Sequence, residues 1–338
     1  MIHYMIKEAK EGPSAISIVM KDEGVKALAE EVSSSSRIFL FGCGSSYNIA
    51  LYGAKVAEAL DLGPETYAMP SSEFDYFINK LRKDDLAIAI SRSGETSETL
   101  NVALKIARRG LRLFAITNDP SSSLAKASIG YASMGGGREE SIVMTKTFLA
   151  GCLALLRAFK VSKGYDLSGE LPYRLGELIN NYELRLREYS EEFSKAKLAV
   201  NLGHSYTYPI ALESSIKLTE TSLIPSVTYY LLEFRHGPKA LIEKGVYVIA
   251  FLTKDEHYDL YLDLIHEVRS LGAKITLITN YEGDGDMVIR VGVEDPLEAS
   301  ALFITPIHLL SYYSAVRRNL NPDKPRHLSK VVKIKGLR

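Results

Sequence analysis

The sequence predicts an α/β protein made of two tandem, duplicated halves, each built on a parallel sheet, and three features of its 338 residues lead there. Short apolar runs ending in Gly, Ser or Thr alternate with longer segments of helical period, which is the pattern of βα units. Both halves carry that alternation. Two landmarks also recur in register: a first strand ends at Gly42 and again at Gly203, and a later strand ends in Thr117-Asn118 and again in Thr279-Asn280. The separations are 161 and 162 residues. A period this long belongs to duplicated domains and not to a solenoid of short repeats.

In the first half the predicted strands are 38–41, 86–90 and 113–116, with helices near 47–60 and 97–109. In the second half they are 198–202, 246–251 and 275–278. An N-terminal helical arm is expected over 1–24, a first domain over 25–165, a second over 177–320 and a C-terminal tail over 321–338. The best linker runs from about Ser162 to Gly176, with Gly164, Gly169 and Pro172 as breakers. A charge-rich amphipathic helix around 177–196 opens the second half.

Composition excludes several classes of function. Lys plus Arg and Asp plus Glu both number 41, so no overall field draws the chain to nucleic acid or to an anionic membrane. Cys43 and Cys152 are the only cysteines and lie far apart, which excludes a disulfide framework and a thiolate zinc site and fits a reducing cytoplasm. No metal is implied. The N-terminus has no cleavable apolar core, and no run approaches the ~18 apolar residues of a membrane span, so a cytoplasmic location is expected.

The strand at 86–90 is followed by Ser91-Arg92-Ser93-Gly94-Glu95-Thr96 and then by a helix. Open parallel sheets bind ligands at the carboxyl ends of their strands. Three hydroxyls and a glycine there meet the unpaired amides of a helix start, so backbone and side-chain donors can converge on one dianion. Gly42-Cys43-Gly44-Ser45-Ser46 repeats the arrangement after the first strand and adds two hydroxyls. Plain helix capping accounts for either loop alone. Two such loops at neighbouring strand ends favour a phosphate pocket. The loop Gly42 to Ser46 lacks the third glycine of a dinucleotide fingerprint, and no Gly-Lys-Ser/Thr of a nucleotide P-loop occurs, so a phosphorylated small molecule is preferred to a nucleotide. The second half has Leu252-Thr253-Lys254-Asp255-Glu256 at the corresponding place, whose carboxylates repel phosphate. One anion site per chain is expected.

Glu213, Lys217 and Glu220 are spaced i, i+4, i+7 and fall on one helix face, setting a base beside an ammonium. The alternative is a solvated face with a routine Glu-to-Lys pair. Glu233-Phe234-Arg235-His236-Gly237-Pro238 places His236 against a helix break, where an imidazole can face a cleft. Pro325-Arg326-His327-Leu328-Ser329-Lys330 follows a predicted helix at 305–319 and is basic, which a solvated tail also explains.

These motifs resemble the isomerase half of glucosamine-6-phosphate synthase and its free-standing relatives, the sugar-isomerase (SIS) domain proteins. The likeness runs from His3 to Lys330. Its markers are Gly42 to Tyr47, Ser91 to Thr96, Thr145-Lys146-Thr147-Phe148, Ala211-Leu212-Glu213 with Lys217 and Glu220, His236-Gly237-Pro238 followed by Ala240-Leu241-Ile242, and Pro325-Arg326 with Lys330. The resemblance implies two tandem SIS domains, each a parallel-sheet αβα sandwich of flavodoxin-like type. It also implies an aldose–ketose reaction on an open-chain hexose 6-phosphate or amino-hexose 6-phosphate with no cofactor. By position, Ser45, Ser46, Ser91, Ser93 and Thr96, with Arg92 beside them, would hold the phosphate. Glu220 would move a proton between C1 and C2, aided by Lys217 and Glu213. His236 would assist ring opening from a neighbouring subunit, which implies a homodimer. Lys330 would form a Schiff base at C2.

Departures from the synthases narrow the expectation. A glutaminase domain is expected to be absent, since residue 2 is Ile2 where the synthases carry their catalytic Cys, so glutamine is not the expected ammonia source. Arg92 stands where the synthases usually have Gln, and Glu139-Glu140-Ser141-Ile142-Val143-Met144-Thr145 resembles the deaminase-like members. A glucosamine-6-phosphate deaminase giving fructose 6-phosphate and ammonia is the leading expectation. The isomerase component of a split synthase, or a related isomerase or deglycase, is the alternative. A sugar-phosphate sensor would need the cradle but not Glu220, His236 or Lys330, whose retention argues against it; nor is a DNA-binding helix pair appended.

Overall fold

The computed structural model describes residues 3–334. The chain divides into two compact units. The first comprises Pro13–Glu139, Lys146–Gly169 and the tail from Ser329; the second comprises the N-terminal segment through Gly12, Glu140–Thr145 and Glu170–Leu328.

The first unit has the strands β1 (Arg37–Gly42), β2 (Glu65–Pro70), β3 (Asp85–Ile90), β4 (Arg112–Thr117) and β5 (Gly130–Ser133), paired in the order β2-β1-β3-β4-β5. All four pairings are parallel. The second unit has β6 (Leu198–Gly203), β7 (Ser226–Tyr230), β8 (Val246–Leu252), β9 (Lys274–Thr279) and β10 (Met287–Arg290), in the order β10-β9-β8-β6-β7 and again wholly parallel. Read from β7, that is the order of the first sheet, so the duplication inferred from two landmarks extends to the topology.

The three strands predicted in each half are the central ones. Phe39, Leu40, Ile88 and Ala89 in one sheet and Val248, Ile249 and Ala250 in the other are buried, as expected where helices cover both faces of a parallel sheet. On one face of the first sheet Phe41 stacks on Phe74 with ring centroids 4.8 Å apart. The strands not predicted, β2, β5, β7 and β10, are the edge strands of the two sheets, with partly exposed residues.

Local chemistry explains the helix boundaries. Asp22 caps the helix Glu23–Ser33 by accepting from the Gly24 amide at 2.9 Å, and its other oxygen accepts from Ser133 N of β5 at 2.6 Å. The helix expected from 177 begins at Leu171 and ends at Phe193. Pro172, read as a breaker, sits in the first turn, where its missing N–H costs nothing. The arm expected over 1–24 is divided between units: the helix Tyr4–Lys10 belongs to the second, where the Asp323 carboxylate accepts from the amides of Tyr4 and Met5 at 2.8 and 2.7 Å. The tail is divided as well, since residues from Ser329 belong to the first unit.

Gly42 and Gly203 have the same structural reason. A Cβ on either would lie 2.7 Å from backbone of the following helical segment, at Ser46 and at Thr207. By length and composition one stretch among the described residues, Pro296–Arg317, could cross a membrane, but 83% of its window is buried inside the protein, as in a core helix.

Candidate active site

In the first unit, β3 delivers the loop 91–96 to the carboxyl edge of the sheet. Ser91 N donates to Ile116 O of β4 at 3.0 Å, and the Gly94 amide donates to Ser91 O and Oγ, both at 3.1 Å. Ser91 Oγ in turn donates to Thr96 Oγ1 at 3.3 Å, and Glu95 N donates to Ser93 Oγ at 3.1 Å. Thr96 occupies the cap position of the helix Ser97–Arg108, yet its hydroxyl makes no cap bond. The capping alternative therefore does not account for Thr96. Gly44, with φ 55°, opens the helix Ser45–Ala59 and puts Ser45 and Ser46 in its first turn. Cys43 Sγ lies 3.5 Å from Thr99 Oγ1, which ties this loop to the helix that follows the other.

Gly94 has φ 64°, and a Cβ there would lie 2.2 Å from Ser122 Oγ. Gly94→Ala is expected to cost roughly 1–3 kcal/mol, a left-handed backbone plus a clash. Urea unfolding and calorimetry with inorganic phosphate should register a lower midpoint and weaker anion binding.

A cleft of about 520 Å³ opens beside the loop, lined among others by Arg92, Ser93, Asn118, Arg138, Glu139 and Lys330. Arg92, expected beside the phosphate, donates from Nη1 to the fully buried Glu139 carboxylate at 3.0 Å. Lys330 donates to the Glu139 main-chain carbonyl. Beyond it, Val332 O accepts the Ser97 amide at 3.2 Å and Ile334 N donates to Ser97 Oγ at 3.1 Å, so tail backbone meets a donor at the start of that helix. The structure thus brings the tail lysine to the loop side of the first unit. Glu139 was not singled out as a site residue. The Gly135-Gly136-Gly137 run before it, all left-handed, was the available signal for a special loop.

The second unit holds the Glu213, Lys217 and Glu220 side chains in one cluster. The helix Tyr208–Lys217 passes directly into a π-helical turn, Leu218–Ser222, where a single α-helix through Glu220 was expected. Thr221 Oγ1 and Ser222 Oγ bond back to Lys217 O and Leu218 O at 2.7 Å, and Leu223 ends the turn in a left-handed conformation, φ 53°. Such turns concentrate at functional sites. Lys217 Nζ lies 3.1 Å from Glu213 Oε1 and 3.0 Å from Glu220 Oε2. Lys217 and Glu213 are buried while the Glu220 side chain is 28% exposed, so only the last carboxylate is open to a ligand. Burial works against the Lys217 ammonium, but the two carboxylates outweigh it and hold its pKa above the ordinary lysine value. The routine surface pair considered as an alternative does not fit this burial.

His308, on the helix Ile304–Arg317, is buried, and burial followed by the charge of Lys217 pushes its pKa from 6.5 to about 3. Because the folded value is depressed, the unfolded chain binds more protons below pH 6.5. The stability that neutral His308 contributes is whole above 6.5 and is lost as pH falls towards 3. His308→Gln should therefore flatten the plot of unfolding free energy against pH, by up to about 1.4 kcal/mol per pH unit, as followed by urea titration between about pH 6 and pH 4.

His236 is exposed, between the short 3-10 turns Leu232–Arg235 and Pro238–Leu241. Its neighbours are pinned: Phe234 is buried, and Glu267 accepts from Arg235 Nε at 3.1 Å and from Lys239. The strand ends that would form a second cradle are closed by their own side chains. Tyr206 OH meets Thr253 Oγ1 at 2.8 Å, Tyr261 OH donates to Asp255 at 3.0 Å, and His204 lies between them with its pKa pushed by burial to about 4.

The chain is similar to known proteins along nearly its whole length. The isomerizing glutamine-fructose-6-phosphate aminotransferase of Sulfolobus acidocaldarius is 31% identical across 98% of the chain. The chain spans 57% of that relative's length. Among solved structures, the C-terminal domain of glucosamine-fructose-6-phosphate aminotransferase from Francisella tularensis superposes with a TM-score of 0.82 at 27% identity, covering 96% of this chain and 99% of that one. Glucosamine-6-phosphate deaminase from Thermotoga maritima gives a TM-score of 0.78 at 31% identity, covering 97% and 99%. The SIS domain family matches residues 31–160 and 192–285, one segment in each duplicated half, and the chain belongs to that family.

Proposed function

We propose that the protein is a phosphosugar isomerase that deaminates glucosamine 6-phosphate to fructose 6-phosphate and ammonia, reversibly. The observation that favours deamination is the 31% identity to the Thermotoga maritima deaminase over nearly the whole of both chains. In this reading Ser45, Ser46, Ser91, Ser93 and Thr96 bind the phosphate dianion through hydroxyls and helix-start amides. Glu220 takes the proton from C2 and returns it to C1, with its charge balanced by Lys217, which Glu213 keeps protonated. The C2 imine left by this transfer is then hydrolysed, releasing ammonia. Lys330 condenses with the C2 carbonyl of the ketose, its Nζ forming a C–N bond as the carbonyl oxygen leaves as water. His236 assists ring opening across a homodimer interface.

The test is ammonia release from a panel of sugar phosphates. Release from glucosamine 6-phosphate with stoichiometric fructose 6-phosphate supports the reading, and no turnover of it excludes the reading. A second possibility is favoured by the similarity to aminotransferases over 98% of the chain: the chain would serve as the isomerase part of an aminotransferase. Amino-sugar synthesis that appears only on adding a glutaminase would select it.

A further inference from the structure

Glu139 is placed where three parts of the first unit meet. Its carboxylate is fully buried and accepts from Arg92 Nη1 at 3.0 Å, from Thr147 Oγ1 at 2.5 Å and from Thr147 N at 3.2 Å. Thr147 lies in the first turn of the helix Lys146–Ser162, so the carboxylate sits at a helix N-terminus, where the dipole and a guanidinium both favour its charged form. Its main-chain carbonyl takes the Lys330 ammonium. Arg92 belongs to the loop between Ser91 and Ser93, and Arg92, Glu139 and Lys330 all line the 520 Å³ cleft.

One consequence follows from elementary electrostatics. A guanidinium engaged by a buried carboxylate adds little net charge for an incoming dianion. We propose that Glu139 is a positioning residue for Arg92: its carboxylate keeps the guanidinium off the phosphate, so that the loop binds the dianion with hydroxyls and amides. The proposal rests on the phosphate site proposed above.

The experiment compares the wild-type chain with E139Q and with R92Q/E139Q, using inorganic phosphate in calorimetry. In E139Q the carboxamide no longer neutralises the guanidinium, so phosphate should bind about tenfold more tightly, the scale of one charge-assisted contact. The gain should vanish in R92Q/E139Q, a reversal that a merely structural role for Glu139 would not produce. Equal phosphate affinity in wild type and E139Q, or a gain that survives in the double variant, overturns the proposal. No phosphate binding by any of the three chains overturns the phosphate site itself. If E139Q does not fold, the double variant, which buries no unpaired charge, should bind phosphate as the wild type does. A loss there places Arg92 on the phosphate and overturns the proposal.

Discussion

Glu220→Gln is expected to lower turnover of glucosamine 6-phosphate about 10³-fold, the usual worth of a positioned general base, while binding of the sugar phosphate persists. The substitution is nearly isosteric. Its carboxamide oxygen can still accept from Lys217, 3.0 Å away in the wild type, so the π-helical turn should hold its shape. What it cannot do is take a proton. Calorimetric binding that is retained alongside lost turnover assigns the chemistry to Glu220, because an interaction needed only in the transition state lowers kcat without weakening the ground state. Turnover within about tenfold of wild type would move the base elsewhere.

Lys217→Met should strongly destabilise the second unit. Glu213 is fully buried and depends on that ammonium at 3.1 Å. Removing one partner of a buried pair leaves an uncompensated charge and costs about 3–5 kcal/mol. Glu213→Gln/Lys217→Met should recover much of the loss, since a buried pair replaced by neutral groups is often close to neutral in stability. Urea unfolding of the three variants measures the difference. A single variant as stable as wild type would mean that water reaches Glu213.

What could be read from the sequence follows from how each element is buried. The central strands were legible because Phe39-Leu40-Phe41 and Leu86 to Ile90 are apolar at consecutive positions, the signature of strands covered on both faces. Edge strands such as Glu65–Pro70 mix polar and apolar residues without clean alternation, and only pairing in the sheet defines them. The hydroxyl loop was legible because Ser, Gly and Thr coincide with a strand-to-helix junction. The engagement of Arg92 was not, because its partner Glu139 is 47 residues away and only the fold brings it close. Spacing also placed Glu213, Lys217 and Glu220 together. It missed the π turn, which depends on back-bonding hydroxyls at Thr221 and Ser222 and on a left-handed Leu223, a conformation that side chains other than glycine rarely adopt.

One measurement reaches the central claim, that Glu220 transfers a proton between neighbouring carbons of a sugar phosphate. The full chain is incubated in H₂O with glucosamine 6-phosphate deuterated at C2 and the products are followed by NMR. Fructose 6-phosphate carrying that deuterium at C1, formed with ammonia by the wild type and not by Glu220→Gln, is the predicted result. Product free of deuterium at C1 that also forms in Glu220→Gln, or no ketose at all from the wild type, would contradict it.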